Sequence, residues 1–349
     1  AVRRLEAGAE VGQCDDFGRT ALTYAAERGD AEWVTWLLDR GAAIDAAQYP
    51  PDHGTALEFA IGGGHSAVAE LLLARGAQAT GFMLNFAATK GQPAIVDALL
   101  DRGAPVLRSA DGGTALLSLC GFGPQHAWPL PPEPLGRTVV RLIAAGADVN
   151  GQNAQRETPL LAAVRSDNIS VVELLLKNGA SANLPEGPTF LLTVARDRAM
   201  VERLLKAGIS ESERRAAFWR YVHYGRRDLA PLLARTLPEP EREQLSAGLA
   251  LLDAVRSADA TALRQRIAAA SVGGVPVQFG EIALIEAGQA YRIEDRRRLV
   301  DILLEAGVNV NSRFQGTTPP VAAVRMKDIA LVRRLLAAGA DVNFRPDKG

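Results

Sequence analysis

The chain has 349 residues with a formal net charge of −1, and 48% of them are hydrophobic while 5% are aromatic. That near-neutral balance argues against a general nucleic-acid binder, which concentrates basic charge, and no run of about 20 apolar residues is present to span a membrane as a helix. Four histidines without an i, i+4 pair, and two cysteines without a Cys-x-x-Cys spacing, point away from a zinc site.

Along the chain, Gly8, Gly41, Gly76, Gly103, Gly146, Gly179, Gly208, Gly307 and Gly339 each close a Leu- or Ala-rich stretch, and several open a Gly-Ala-x-x-Asn/Asp phrase. Their steps are 33, 35, 27, 43, 33, 29, 99 and 32 residues, which is one period of about 33 with local insertions and deletions. The step of 99 equals three periods and predicts two hidden units between Gly208 and Gly307. A period of this length makes each unit a brick that cannot bury its own apolar face, so neighbours must stack. In chain order, a half-unit over 1–14 leads into regular units over about 15–209, divergent units over about 210–280 and further units over about 281–349. All of this forms a single repeat domain over 1–349. The third unit, Gly81 to Gly103, lacks a turn phrase and should have a shortened finger. An insertion over 121–136 is rich in proline, 272–280 reads as a loop or irregular finger, and a small insertion near Ala290 to Asp295 separates two helices. The end, from Pro346 to Gly349, resembles the opening of another turn phrase, which suggests a longer parent chain and leaves room for a missing targeting segment.

Within each period a second phrase precedes the glycine. In the first unit it runs Asp15-Asp16-Phe17-Gly18-Arg19-Thr20-Ala21-Leu22-Thr23-Tyr24-Ala25-Ala26, and echoes stand at Thr55-Ala56-Leu57, Thr114-Ala115-Leu116, Thr158-Pro159-Leu160 and Thr318-Pro319. This resembles the Thr-Pro-Leu-His-x-Ala phrase of ankyrin repeats. The resemblance covers the whole chain, with about ten units, four of them divergent. It implies an all-α solenoid of stacked helix-turn-helix units with short finger loops. The residues agree with it. The threonines stand where a hydroxyl can cap a helix or link turn to helix, Ala25-Ala26 and Ala162-Ala163 allow close helix approach, Val171 to Leu176 is apolar enough to be buried on more than one side, and each closing glycine suits a left-handed C-cap.

Candidate chemistry is sparse. His65 falls where the repeat pattern itself carries histidine, and Gly62-Gly63-Gly64 falls at the turn between two helices, with no strand before it as a dinucleotide site requires. Cys120, His126 and Glu133 are close in sequence, but Cys120 occupies a small buried helix position. Cys14 and Cys120 lie about three units apart, beyond the Cα reach of about 7 Å for a disulfide when units are spaced by a helix diameter of about 10 Å. They read as free thiols, as in a reducing compartment. No catalytic residue, metal or cofactor is assigned.

The resemblance implies a protein or peptide partner on finger tips and first helices. Carried over unit by unit, it points to Phe17, Arg19 and Arg28 with Asp16 and Glu27, then to Lys90 with Thr89, Glu157 with Arg165, Phe279, and Phe314 with Gln315 and Arg325. Aromatic and arginine side chains are the usual interface anchors. The stretch from Phe218 to Arg227 is either a repacked unit or a partner hot spot, with Trp219, Tyr224 and Arg226 as its candidates. Trp128 either projects on a stiff proline-rich loop or folds back over the helices. Residues 196–235 carry ten basic against five acidic side chains, either a solvated face or a surface for an acidic partner. Ala- and Arg-rich wording resembles proteins of GC-rich bacteria. Together these features suggest a non-enzymatic, monomeric, cytoplasmic binding module: a bacterial scaffold, an inhibitor or immunity-type protein, or an effector delivered to a host cell. The alternative is the substrate-recruiting region of a larger enzyme.

Overall fold

The computed structural model describes residues 11–46, 54–108, 112–121, 132–183, 191–273, 277–341 and 343. Helices alternate with short turns, and the strand-like pairings among the described residues are isolated bridges at two finger loops, Cys14 with Thr20 and Phe314 with Thr317. The all-α expectation holds. By its internal contacts the chain divides into two compact units, residues 1–208 and 209–349.

In the first unit the helices come in pairs: α1 (Ala21–Glu27) with α2 (Ala31–Leu38), α3 (Ala56–Gly62) with α4 (Ser66–Ala74), and α5 (Gly81–Thr89) with α6 (Pro93–Asp101). These are followed by α7 (Ala115–Cys120) with α8 (Pro132–Ala144), α9 (Pro159–Arg165) with α10 (Ile169–Lys177), and α11 (Leu191–Val194) with α12 (Arg198–Lys206). First helices pack on first helices, as α1 on α3 and α5 on α7, while second helices pack on second, as α6 on α8 and α8 on α10. Ala60, Leu84, Ile95, Val139 and Val172 are fully buried between them. Small residues on the inner helices and branched ones on the outer helices let each pair bury a face it could not bury alone.

The threonines act as caps. The hydroxyls of Thr20, Thr55, Thr80, Thr114 and Thr158 each accept the backbone N–H three residues on, at 3.1–3.3 Å, which satisfies a donor that the first helical turn leaves open. Gly41, Gly76, Gly103, Gly146, Gly179 and Gly208 close their helices with φ between 76° and 96°. The asparagine of the Ala-Asp-Val-Asn phrase then reaches the following pair: Asn150 Nδ2 donates to the Gly179 carbonyl at 3.1 Å, and its Oδ1 accepts from the Ser181 N–H at 2.8 Å. In the third repeat residues 77–80 alone separate Gly76 from α5, so its finger is short as expected. The proposed insertion over 121–136 is corrected at its end, because α8 already begins at Pro132. Proline suits the first helical turn, where its missing N–H would have found no partner.

The second unit contains α13 (Glu211–His223), α14 (Ala230–Ala234), α15 (Glu241–Arg256), α16 (Ala260–Gly273), α17 (Val277–Ala287), α18 (Ile293–Glu305), α19 (Pro319–Arg325) and α20 (Ile329–Ala337). Two helix pairs, α13 with α14 and α15 with α16, occupy the interval that the step of 99 assigned to two hidden units. The expectation of a loop or irregular finger over 272–280 is corrected at its described residues, because α16 runs to Gly273 and α17 opens at Val277. Phe279 is therefore a helix residue with no exposed surface, its ring 5.0 Å from that of Trp219 and 6.2 Å from that of Phe218. Across from it stands Gly248 of α15, where an added Cβ would fall 2.2 Å from the phenyl ring.

Ion pairs stitch this unit. Arg227, on the turn before α14, is buried and pairs with Glu286 of α17. Arg296 and Arg297 of α18 both reach Asp328 at the start of α20, at 3.3 and 2.8 Å, and Arg296 also donates to the Ala290 carbonyl at 2.9 Å. The small insertion expected near Ala290 to Asp295 falls partly on residues 288–292, which link α17 to α18, and partly on the first turn of α18, which begins at Ile293. The turn inside α15/α16 places Ala258 at φ 55°, the position that Gly29 fills in the first repeat at φ 72°. A Cβ in that left-handed well costs about 1–2 kcal/mol, partly offset by the entropy glycine loses on folding. Ala258→Gly is accordingly expected to raise the unfolding free energy by up to about 1 kcal/mol, read from denaturant unfolding.

Candidate partner-binding faces

On the first unit, the exposed side of the first helices carries aromatic rings at one repeat register. Tyr24 of α1, Phe59 of α3 and Phe86 of α5 each stand directly before a buried alanine, Ala25, Ala60 and Ala87, and the steps between them, 35 and 27, match those of the closing glycines. Phe82 joins them one helical turn before Phe86. It is 50% exposed, and its ring is stacked on Phe86 at 6.0 Å and 14°. Phe59, Phe82 and Phe86 line a hollow of about 390 Å³ with Glu27, Glu58 and Gly62. On the other side Phe82 and Phe86 border a second hollow of about 630 Å³, with Leu107, Thr89, Leu117 and Ser118. Both volumes are in the range of ligand clefts, and a half-exposed phenyl pair on a rigid helix is a ready interface anchor.

Of the residues expected to bind a partner here, Phe17 stands 68% exposed on the first finger, as a tip residue should. Arg19 is committed within its own repeat: its guanidinium lies 4.2 Å from the Tyr24 ring centroid and 5.6 Å from that of Phe17, and it pairs with Asp15 and Glu27 at 3.4 and 3.8 Å. Asp15 accepts from the Arg19 and Phe17 backbone N–H groups and from the Tyr24 hydroxyl. The Arg19 N–H is the main cause holding its carboxyl below the ordinary carboxylate range. Burial, with the bond to Asp15, pushes the Tyr24 phenol up. Arg28 is exposed at the end of α1. Lys90, exposed at the end of α5, places its ammonium 5.5 Å from the Phe86 ring centroid. Arg165 donates to Glu157 at 2.7 Å. Trp128 lies outside the described residues.

On the second unit, Trp219, Tyr224 and Phe314 meet in one hollow of about 570 Å³, although Phe314 is far from the other two in sequence. His223 lies between, 4.8 Å from the Phe314 ring and 5.0 Å from the Tyr224 ring. Tyr224 is 63% exposed. Phe314 corrects the expectation of an exposed finger tip: it is 8% exposed. The finger turns tightly at Gln315-Gly316, through paired bonds between Phe314 and Thr317 at 2.9 Å, and the Gln315 amide bonds to the His223 carbonyl. The end of α13 thus gives the phenyl ring a wall that an isolated finger lacks. Phe279 is withdrawn from the partner face altogether, since it is core. Arg226 turns toward Asp228 at 3.6 Å, and Arg325 donates to the Thr317 hydroxyl at 3.0 Å.

The residues set aside as structural behave so. His65 Nε2 donates to the Glu27 carbonyl at 2.9 Å, linking two repeats. Cys120 is fully buried and its thiol is pushed up by that burial, while Cys14 is exposed; both are free. Among the described residues no group of three or more His, Cys, Asp or Glu side chains is placed to hold a metal, and no helix is long and apolar enough to cross a membrane.

Comparison with known proteins agrees with the repeat geometry. The family described as ankyrin repeats (three copies) matches residues 1–83, 84–186 and 133–215. The chain is 29% identical over 195 residues to the ankyrin repeat and KH domain-containing protein mask-1 of Caenorhabditis elegans, a match covering 51% of this chain and 6% of that protein. It is 25% identical over 349 residues to the E3 ubiquitin-protein ligase KEG of Arabidopsis thaliana, covering 95% of this chain and 17% of that one. It is 43% identical over 72 residues to the neurogenic locus Notch protein of Drosophila melanogaster, covering 19% and 3%. The chain thus spans less than a fifth of the length of these curated relatives. The crystal structure of the human ASB11 ankyrin repeat domain superposes with a TM-score of 0.47 at 22% identity, over 59% of this chain and 90% of that one. From the capped helix pairs, the left-handed glycines and the family match over residues 1–215, the chain belongs to the ankyrin repeat family.

Proposed function

We propose that the chain is a non-enzymatic protein-binding module, and that its first unit takes a peptide segment of a protein partner along the ring row of α1, α3 and α5. The carrying observation is the half-exposed Phe82 stacked on Phe86, with open hollows on both sides. Rings held on capped, packed helices lose little entropy on binding. The test selects displayed random peptides on the full chain and measures the winners against Phe82→Asp and Gly62→Leu. A Cβ at Gly62 would sit 3.6 Å from the Phe86 ring, an ordinary contact, and longer side chains extend into the hollow. Both variants are expected to keep the melting temperature and to lose about thirtyfold or more in affinity, the scale of a hot-spot residue. Undiminished binding to both removes the assignment.

A second reading makes the chain the substrate-recruiting region of a larger enzyme. It is favoured by the match of 95% of this chain to a segment of a ubiquitin ligase. A catalytic domain in the same reading frame would support it. The cellular setting belongs to the proposal too: a monomer in a reducing cytoplasm, as bacterial scaffold, inhibitor or immunity-type protein, or host-directed effector. The Ala- and Arg-rich composition and the two free thiols support it.

A further inference from the structure

The hollow of the second unit has walls that a regular repeat does not supply. The end of α13 forms one side, α17 another, and the finger over 313–317 the third; the bond from Gln315 to the His223 carbonyl and the Phe314–His223 contact hold the finger against α13. Trp219 is fixed from behind by Phe279. The wall is therefore aromatic and preorganised, and at about 570 Å³ the space suits a side chain or two of a peptide.

Its charge is equally specific. Along α13 and the turn after it, Arg215 pairs with Glu241, Arg226 with Asp228 and Arg227 with Glu286, while Arg214 donates to the Thr236 carbonyl. Arg220 and Arg313 both line the hollow, and among the described residues neither has a carboxylate within ion-pair distance. Arg220 lies 5.4 Å from the Tyr224 ring centroid, a cation–π distance, and the guanidinium carries five N–H donors in a fork that matches a carboxylate. The one carboxylate on the lining, Glu281, accepts a bond from Asn309 at 3.5 Å. A carboxylate in that place suits a ligand that brings N–H donors of its own, which a peptide backbone has and a phosphodiester backbone lacks.

We propose that this hollow binds an acidic peptide segment, with a carboxylate on Arg220 and Arg313 and a neighbouring apolar side chain against Trp219 and Phe314. It is a site separate from the ring row of the first unit and does not depend on it. The test uses fluorescence anisotropy of the full chain with a capped, labelled pentapeptide of alternating glutamate and phenylalanine. Its glutamine counterpart and an oligothymidylate serve as comparisons. The acidic peptide is expected to bind and to weaken as salt rises. It should also lose about tenfold or more in affinity on the Arg220→Ala, Arg313→Ala double variant, whose two exposed positions leave the melting temperature unchanged. Equal binding of the glutamine peptide, undiminished binding to the double variant, tighter binding of the oligothymidylate, or no binding of the acidic peptide each overturns the proposal.

Discussion

Replacing Phe279 with alanine is expected to destabilise the second unit by about 3–5 kcal/mol, the usual cost of deleting a fully buried phenyl ring. The ring fills the space between Phe218, Trp219 and Gly248, so its loss empties a layer shared by α13, α15 and α17. The pair with Gly248 gives the effect a signature. In the native chain Gly248→Ala drives a methyl group to 2.2 Å from the ring and should itself destabilise by about 1–3 kcal/mol. With Phe279 already alanine, the same methyl group enters vacated space and should cost little or restore part of the loss. A double-mutant cycle from denaturant unfolding measures this coupling, and strictly additive effects would show that the two residues do not face each other.

The second large effect is expected at Asp328. Its side chain is 1% exposed, pairs with Arg296 and Arg297, and caps α20 by accepting the Leu331 N–H at 3.1 Å. Asp328→Ala should cost about 3–5 kcal/mol, because Arg296, itself 2% exposed, keeps a buried charge without its carboxylate. Asp328→Asn keeps the cap and should cost less. The hydrogen bond from Arg297 is the main cause holding the Asp328 carboxyl below its ordinary value, against the opposing effect of burial. A depressed folded-state pKa means that the stability from this group is complete above the unfolded value of about 3.9 and disappears as pH falls through the lower folded value. Acid unfolding curves below about pH 4 should therefore be shallower for Asp328→Asn than for the native chain. Identical slopes would place the acid sensitivity elsewhere.

The threonine caps and the left-handed glycines were legible because each is a local signal, and the period followed from the recurrence of that glycine. A hydroxyl three residues before its N–H, or a glycine after an apolar run, needs no knowledge of the neighbouring repeat. The errors fell where position had to be carried across distance. The step of 99 residues counts units without setting their phase, so Phe279, assigned to a finger, lies two residues inside α17. Phe314 was placed on the right finger, but its burial depends on the end of α13, whose wording follows no repeat. The ring row of Tyr24, Phe59 and Phe86 was overlooked although its steps equal those of the glycines. Reading each helix for its own apolar face hides a pattern that exists only between helices.

The amide bridges from Asn150 and Asn311 to the Gly179 and Gly339 carbonyls tie each finger to the pair that follows. Added length at those joints would break the tie, whereas the extra residues between Gly121 and Pro132 lie inside a pair, between α7 and α8. This molecule therefore has a tolerant seam and an intolerant one. Guest sequence, such as a reporter spliced in by an engineer or a stretch gained by descent, belongs at the hairpin bend and not at the splice between bricks.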